Sequence, residues 1–179
     1  MVQMSERVNR PISTSELERR WKAIRTAMDE QDIDVLLMQN NNDHMGGYTK
    51  YFTDIPATNG YPVTIVFPSD DGMTQINQGP FDMVKNLDMN GSDGVHRGVK
   101  TMMTTPSYAC ASYTRKYDPI LTCKALEPYK HATIGLVGTY QMSFALVDYI
   151  KKQFPDATYV EASDLVDKIK VIKSDEELD

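Results

Sequence analysis

The sequence predicts an α/β domain, built on a mixed sheet of about five or six strands with helices on both faces. Three observations carry that expectation. An amphipathic helix over 15–28 runs directly into an apolar strand over 33–38. Two strand-like runs, 61–67 and 73–77, flank the turn formers Asp70, Asp71 and Gly72. The last third alternates strand, helix, strand and helix between Thr133 and Ile169. Hairpins give antiparallel neighbours and helical crossovers give parallel ones, so the sheet is expected to be mixed.

Ser15 and Glu18 stand at capping-box spacing, which satisfies free amide hydrogens where a helix begins. Leu17, Trp21, Ile24 and Met28 recur at steps of three and four and therefore share one face. Glu16, Arg19, Arg20, Lys22 and Arg25 fall off that stripe and are expected in water. The apolar run 33–38 is too short for a second helix and reads as a buried strand. Asn40, Asn41, Asn42, Asp43, Gly46 and Gly47 then favour a long loop.

Periodicity is weakest over 79–117, where we expect a short helix near 81–87 and a strand near 95–102. Asp118 followed by Pro119 starts a helix that carries Cys123 toward Leu126. A strand over 133–137, a helix over 141–154 and a strand over 158–160 come next. Ser163 is expected to cap a short helix bearing Leu165, Val166 and Ile169. Ser174 and Glu177 repeat the capping spacing with acids at the positive end of a helix, yet only Leu178 and Asp179 remain. This divides the chain into an arm (1–14), a domain (15–173) and the start of a linker helix (174–179).

Composition excludes several classes. The chain has 179 residues, enough for one ordinary domain with a core that needs no staples. Two cysteines, Cys110 and Cys123, are too few and too far apart for a zinc site or a disulfide framework, so a reducing compartment, the cytoplasm, is expected. No apolar run approaches the roughly 18 residues of a membrane span. The 25 acidic against 19 basic residues give a net charge of -6, which opposes a phosphate backbone. Neither membrane nor nucleic acid is an expected partner.

Catalytic signatures are sparse. His44, His96 and His131 stand apart, with no His-Glu-x-x-His or carboxylate cluster beside them. Cys110 has no local base to form a thiolate, although a thiol enzyme using it is one reading, and both cysteines suit small buried groups. Gly135-Leu136-Val137-Gly138-Thr139 lacks the Lys and Ser/Thr pair of a P-loop and the third glycine of a dinucleotide loop, so it reads as a plain strand-to-helix turn. The eleven methionines read as adaptable core filler.

Three stretches carry a resemblance: Glu18-Arg19-Arg20 through Met28 into Ile33-Asp34-Val35-Leu36-Leu37; Tyr51-Phe52-Thr53-Asp54; and Ile134-Gly135-Leu136-Val137-Gly138 onward to Val171-Ile172-Lys173-Ser174-Asp175-Glu176-Glu177. Over residues 18–178 the chain is similar to the N-terminal domain of the creatinase, prolidase and Xaa-Pro aminopeptidase family, whose second domain is the pita-bread metallohydrolase. The family usually reads Tyr-Leu-Thr-Gly where this chain has Tyr51-Phe52-Thr53-Asp54, and residues 55–61 lack the arginine that creatinases use, so creatine hydrolysis is not carried over.

The resemblance implies a ribonuclease-H-like fold and a non-catalytic role beside the chain's own C-terminal catalytic domain. It implies that the latter binds two divalent ions (Mn, Co or Zn) through two Asp, one His and two Glu beyond Asp179. It further implies a homodimer in which this domain narrows the neighbouring subunit's active-site mouth, the substrate being a peptide or a small amidino or amide compound. On that basis residues 54–61 form the candidate wall: Asp54 to meet a substrate amine, Asn59 and Tyr61 to offer hydrogen bonds. A solvated crossing ahead of a strand is the plainer reading of the same residues. A rival function is a binding module whose parent has lost catalysis, as in a histone chaperone related to these peptidases.

Overall fold

The computed structural model describes residues 11–40, 47–55, 61–108 and 111–178. Helix α1 (Thr14–Asp29) leads into strand β1 (Val35–Asn40), helix α2 (Gly47–Thr53) and the strands β2 (Val63–Pro68), β3 (Met73–Gln78), β4 (Met83–Asn86) and β5 (Val99–Thr105). Helix α3 (Tyr117–Leu126), β6 (Thr133–Val137), α4 (Phe144–Gln153), β7 (Thr158–Glu161), α5 (Ser163–Lys170) and the single turn α6 (Asp175–Leu178) complete the chain.

The strands form one sheet in the order β4-β5-β3-β2-β1-β6-β7. β1 lies at its heart, antiparallel to β2 and parallel to β6, and every one of its residues is buried. That is why Val35-Leu36-Leu37-Met38 reads as an unbroken apolar run, since a strand covered on both faces has no polar side. β2 and β3 form the expected hairpin, and β7 pairs parallel to β6. The β3-β2-β1-β6-β7 portion holds three antiparallel strands and two parallel to β1, so the sheet is mixed as expected.

The sheet has seven strands, more than the five or six expected. The additional pairing lies in the segment of weak periodicity. The helix expected near 81–87 is instead the edge strand β4, antiparallel to β5, and the strand expected near 95–102 runs later, as Val99–Thr105. β4 is exposed along its whole length, so no apolar alternation marks it in the sequence. Gly98, at φ 71°, brings the chain beneath α1, where an added Cβ would stand 2.5 Å from the Trp21 ring.

Two apolar cores fill the faces. One joins Leu17, Trp21, Ile24 and Met28 of α1 with Phe52 of α2, Val166 of α5 and Leu36, Met38, Ile65 and Phe67 of the sheet. The other sets Leu126 of α3 and Leu146 and Ile150 of α4 against Val35, Leu37, Val66 and Ile134. Helices therefore cover both faces, as the sequence predicts.

Helix boundaries move by a few residues. Ser13, not Ser15, caps α1 and accepts from the Glu16 amide. Asp118 lies inside the first turn of α3, whose N-cap is Lys116, and Ser163 is the first residue of α5, its hydroxyl accepting from Gly138 N–H. At the other end the predicted box is realised in full: Glu177 N–H donates to Ser174 Oγ at 3.3 Å and Ser174 N–H to Glu177 Oε2 at 3.1 Å.

The largest departure concerns charge. Glu16 and Arg20, expected in water, are both buried. Arg20 donates to Glu16 Oε1 at 2.8 Å and to the Tyr51 carbonyl at 3.2 Å, pairs with Glu177 at 2.9 Å and lies 4.5 Å over the Tyr51 ring. Removing one partner of such a group leaves the others uncompensated, so Arg20→Ala is expected to cost about 3–5 kcal/mol of stability, measured by urea unfolding.

Hydrogen bonds from Arg19, then from Arg20, hold Glu16 at about 2. Its folded value lies below its unfolded one, so its contribution is complete above about pH 4.5 and is lost as pH falls toward 2. The urea midpoint should fall across that window, and less steeply in Glu16→Gln.

Candidate functional site

The expected wall begins where α2 ends. The Tyr51 and Phe52 carbonyls, in the last turn of α2, have no partner within the helix and are taken by two consecutive residues of α1: Arg20 Nη1 and, at 2.8 Å, Trp21 Nε1. Asp54 then adopts φ 58°, the left-handed conformation that ends helices and that aspartate tolerates better than most residues. Its amide donates back to the Lys50 carbonyl at 2.7 Å.

The Asp54 carboxylate is already engaged. Oδ2 receives Arg97 Nη2 at 2.8 Å and the Ile12 amide at 2.9 Å, while Arg97 also donates to the Ile12 carbonyl. Both charged side chains are 14 % exposed, enough burial to make the pair more than a surface contact. At the far end of the crossing Tyr61 meets Tyr108 edge to face, with centroids 5.6 Å apart. Asp54 and Tyr61 thus have separate anchors, and Asn59 lies outside the described residues.

A cavity of about 330 Å³ opens beside Asp54, with Tyr51, Lys50, Lys170 and Glu177 on its walls. The Lys170 ammonium sits 4.9 Å over the Tyr48 ring, and burial depresses its pKa. The Tyr51 hydroxyl is buried without a hydrogen-bond partner among the described residues, and burial raises its pKa. Polar chemistry of both signs therefore faces the wall at its Asp54 end.

The other sequence candidates are dispersed. His96 bonds Asp93 at 2.7 Å near the surface, and exposed His131 stands 3.9 Å from Asp156. His44 and Cys110 lie outside the described residues. Cys123 is half-buried in α3, its thiol pushed up to about 11 chiefly by burial, the opposite of what a nucleophile requires. Among the described residues no three His, Cys, Asp or Glu side chains are placed to hold a metal ion. No helix among them is long and apolar enough to cross a membrane.

Two residues escaped the sequence reading. Arg97 lies in the segment without periodicity and is recognisable only through its contact with Asp54. Asp118 was visible as part of an Asp-Pro pair, but as a cap; it is in fact buried, and that burial raises its carboxyl to about 6.

No protein-family model matches the sequence, and no curated protein sequence does. Solved structures match the fold. An Xaa-Pro aminopeptidase from Streptococcus pyogenes superposes with a TM-score of 0.57 at 14 % identity, over 88 % of this chain and 99 % of that one. An X-Pro aminopeptidase from Thermotoga maritima gives 0.61 at 14 % identity, over 88 % of this chain but only 37 % of its own. The N-terminal domain of the FACT complex subunit SPT16 from chickpea gives 0.56 at 12 % identity, over 93 % and 40 %. At these identities the likeness establishes the fold: that of Xaa-Pro aminopeptidase and prolidase structures, with this chain spanning about two fifths of the longer ones, as an N-terminal domain would.

If the Asp54–Arg97 pair anchors the crossing, Asp54→Ala and Arg97→Ala should each destabilise the chain by about 1.5–3 kcal/mol. A double-mutant cycle by urea unfolding should show a coupling of about 1 kcal/mol or more. Proteolytic cleavage within residues 55–61 should accelerate in either variant.

Proposed function

We propose that this chain is a non-catalytic N-terminal domain of a metal-dependent Xaa-Pro peptidase or creatinase-like hydrolase. It supports subunit association and shapes the active-site mouth of the neighbouring subunit. The superposition over 88 % of this chain but 37 % of the Thermotoga maritima aminopeptidase is the observation that carries the reading. The substrate is a peptide or a small amidino or amide compound, the parent is a cytoplasmic homodimer, and its divalent ions (Mn, Co or Zn) are held by the catalytic domain, where they activate water.

In this reading the chain acts by shape and hydrogen bonding, a route to selectivity that needs no bond breaking here. Residues 54–61 form the wall. Arg97 holds Asp54 in place, so Asp54 meets a substrate amine only through what its shared carboxylate has left to offer. Tyr61, braced by Tyr108, presents its hydroxyl, and Asn59 adds a further polar group. Edge strand β4, with Met83 and Val84 exposed, supplies an unpaired backbone edge suited to a second copy.

The isolated chain, supplied with Mn²⁺ and an Xaa-Pro dipeptide, should show no turnover; robust cleavage would defeat the proposal. In the full-length parent, Asp54→Ala and Tyr61→Ala should each raise KM several-fold while kcat stays within about two-fold, the pattern of lost substrate positioning. The likeness to the chickpea SPT16 domain favours a second reading, a binding module attached to an inactive pita-bread domain. Five intact metal ligands in the parent's second domain would decide for the enzyme, and their loss for the binding module.

A further inference from the structure

On the opposite face of the sheet from α1, a cleft of about 280 Å³ opens at the C-terminal end of β1, between the first turns of α3 and α4. Its walls carry Gln39 and Asn40 of β1, Ser107 after β5, Arg115 and Asp118 at the start of α3, and Gln141 ahead of α4. Gln39, Asn40, Ser107 and Asp118 are each more than nine-tenths buried, so the polar lining is built into the fold.

The two amides are fixed. Gln39 Nε2 donates to Thr64 Oγ1 at 3.0 Å and its Oε1 accepts from the Ser143 amide at 3.3 Å. Asn40 Oδ1 accepts from the Thr49 amide at 2.9 Å, and its Nδ2 donates to Gln141 Oε1.

Among the described residues Asp118 and Arg115 are the only charged ones on this lining, and they make no ion pair with each other or with any other described residue. Burying a carboxyl without a counter-ion is costly unless something completes it. Burial raises the Asp118 carboxyl to about 6, and the one group opposing that rise is the Ser107 hydroxyl. β1 and the first turn of α4 contribute only neutral groups to the cleft.

We propose that this cleft binds a small zwitterion of the amino-acid class, its ammonium on Asp118 and its carboxylate on Arg115. An acid and a base that share a cavity but leave each other unpaired are complementary to a ligand carrying both opposite charges. Gln39 and Gln141 line the same cleft, and the second lone pair of each side-chain oxygen is a further acceptor for the ammonium hydrogens. The volume, at the lower end of small-molecule sites, suits a ligand of that size and excludes a folded partner. The site stands independently of the peptidase reading, since it uses none of the residues of the 54–61 wall.

The test is an NMR titration of the ¹⁵N-labelled chain with L-alanine, L-leucine and γ-aminobutyrate, with n-butylamine and butyrate as single-charge controls. At least one zwitterion should give saturable shifts at Gln39, Asn40 and Gln141, binding about tenfold or more tightly than either control. Asp118→Asn, nearly isosteric and still able to bond Ser107, should keep the thermal midpoint and weaken binding at least about tenfold, as should Arg115→Gln. Affinity for the ammonium requires ionised Asp118, so it should fall as pH drops through about 6 and become insensitive to pH there in Asp118→Asn. Absence of saturable shifts with all three zwitterions up to about 50 mM, or equal binding by folded Asp118→Asn, overturns the proposal.

Discussion

Arg20 is the point through which distant parts of this chain are tied. A guanidinium offers five donors in a fixed plane, and here they reach a carboxylate one turn back on α1, a carbonyl at the end of α2 and a carboxylate on α6. None of these contacts is worth much in water. Inside, each prevents a buried group from being left alone, so the three elements are coupled: displacing one strands charge on the others. Trp21, the next residue, repeats the device with its indole N–H on the Phe52 carbonyl.

The functional reading depends on this coupling. α2 has only seven residues, too short to be stable by itself, and the pair of donors from α1 satisfies the carbonyls its end would otherwise expose. The chain therefore leaves α2 at a fixed place, and Asp54, in its left-handed conformation, turns it toward Arg97. The proposed discrimination of substrates by shape would need such stiffness, because a segment free to move aside excludes nothing. Glu177 brings α6 to the same cluster, so α6 and the root of the proposed wall share one anchor.

The opposite face obeys different physics. There α3 and α4 pack on the sheet through leucine and isoleucine, and the polar cleft is lined by residues at their first turns and at the end of β1. Crevices at the carboxyl ends of parallel strands are common ligand positions in α/β folds, because strand ends and helix starts bring free polar groups together. The cleft and the wall lie on separate elements and answer to separate measurements.

Short-range periodicity in the chain was enough to set the apolar face of α1, the buried strand β1, the β2–β3 hairpin, the alternation after Thr133 and the box between Ser174 and Glu177. Each is written in residues close enough along the chain for spacing to reveal it. Strand β4, exposed throughout, carries no such pattern, and a charged helix residue gives no local sign that its counter-ions come from other elements. The burial of Arg20 and Glu16, the engagement of Asp54 by Arg97 and the burial of Asp118 without an ion pair among the described residues arose only in the assembled fold. The physical reason is that the free energy of a buried charge depends on which groups surround it in space, and those groups are brought together only when the sheet forms.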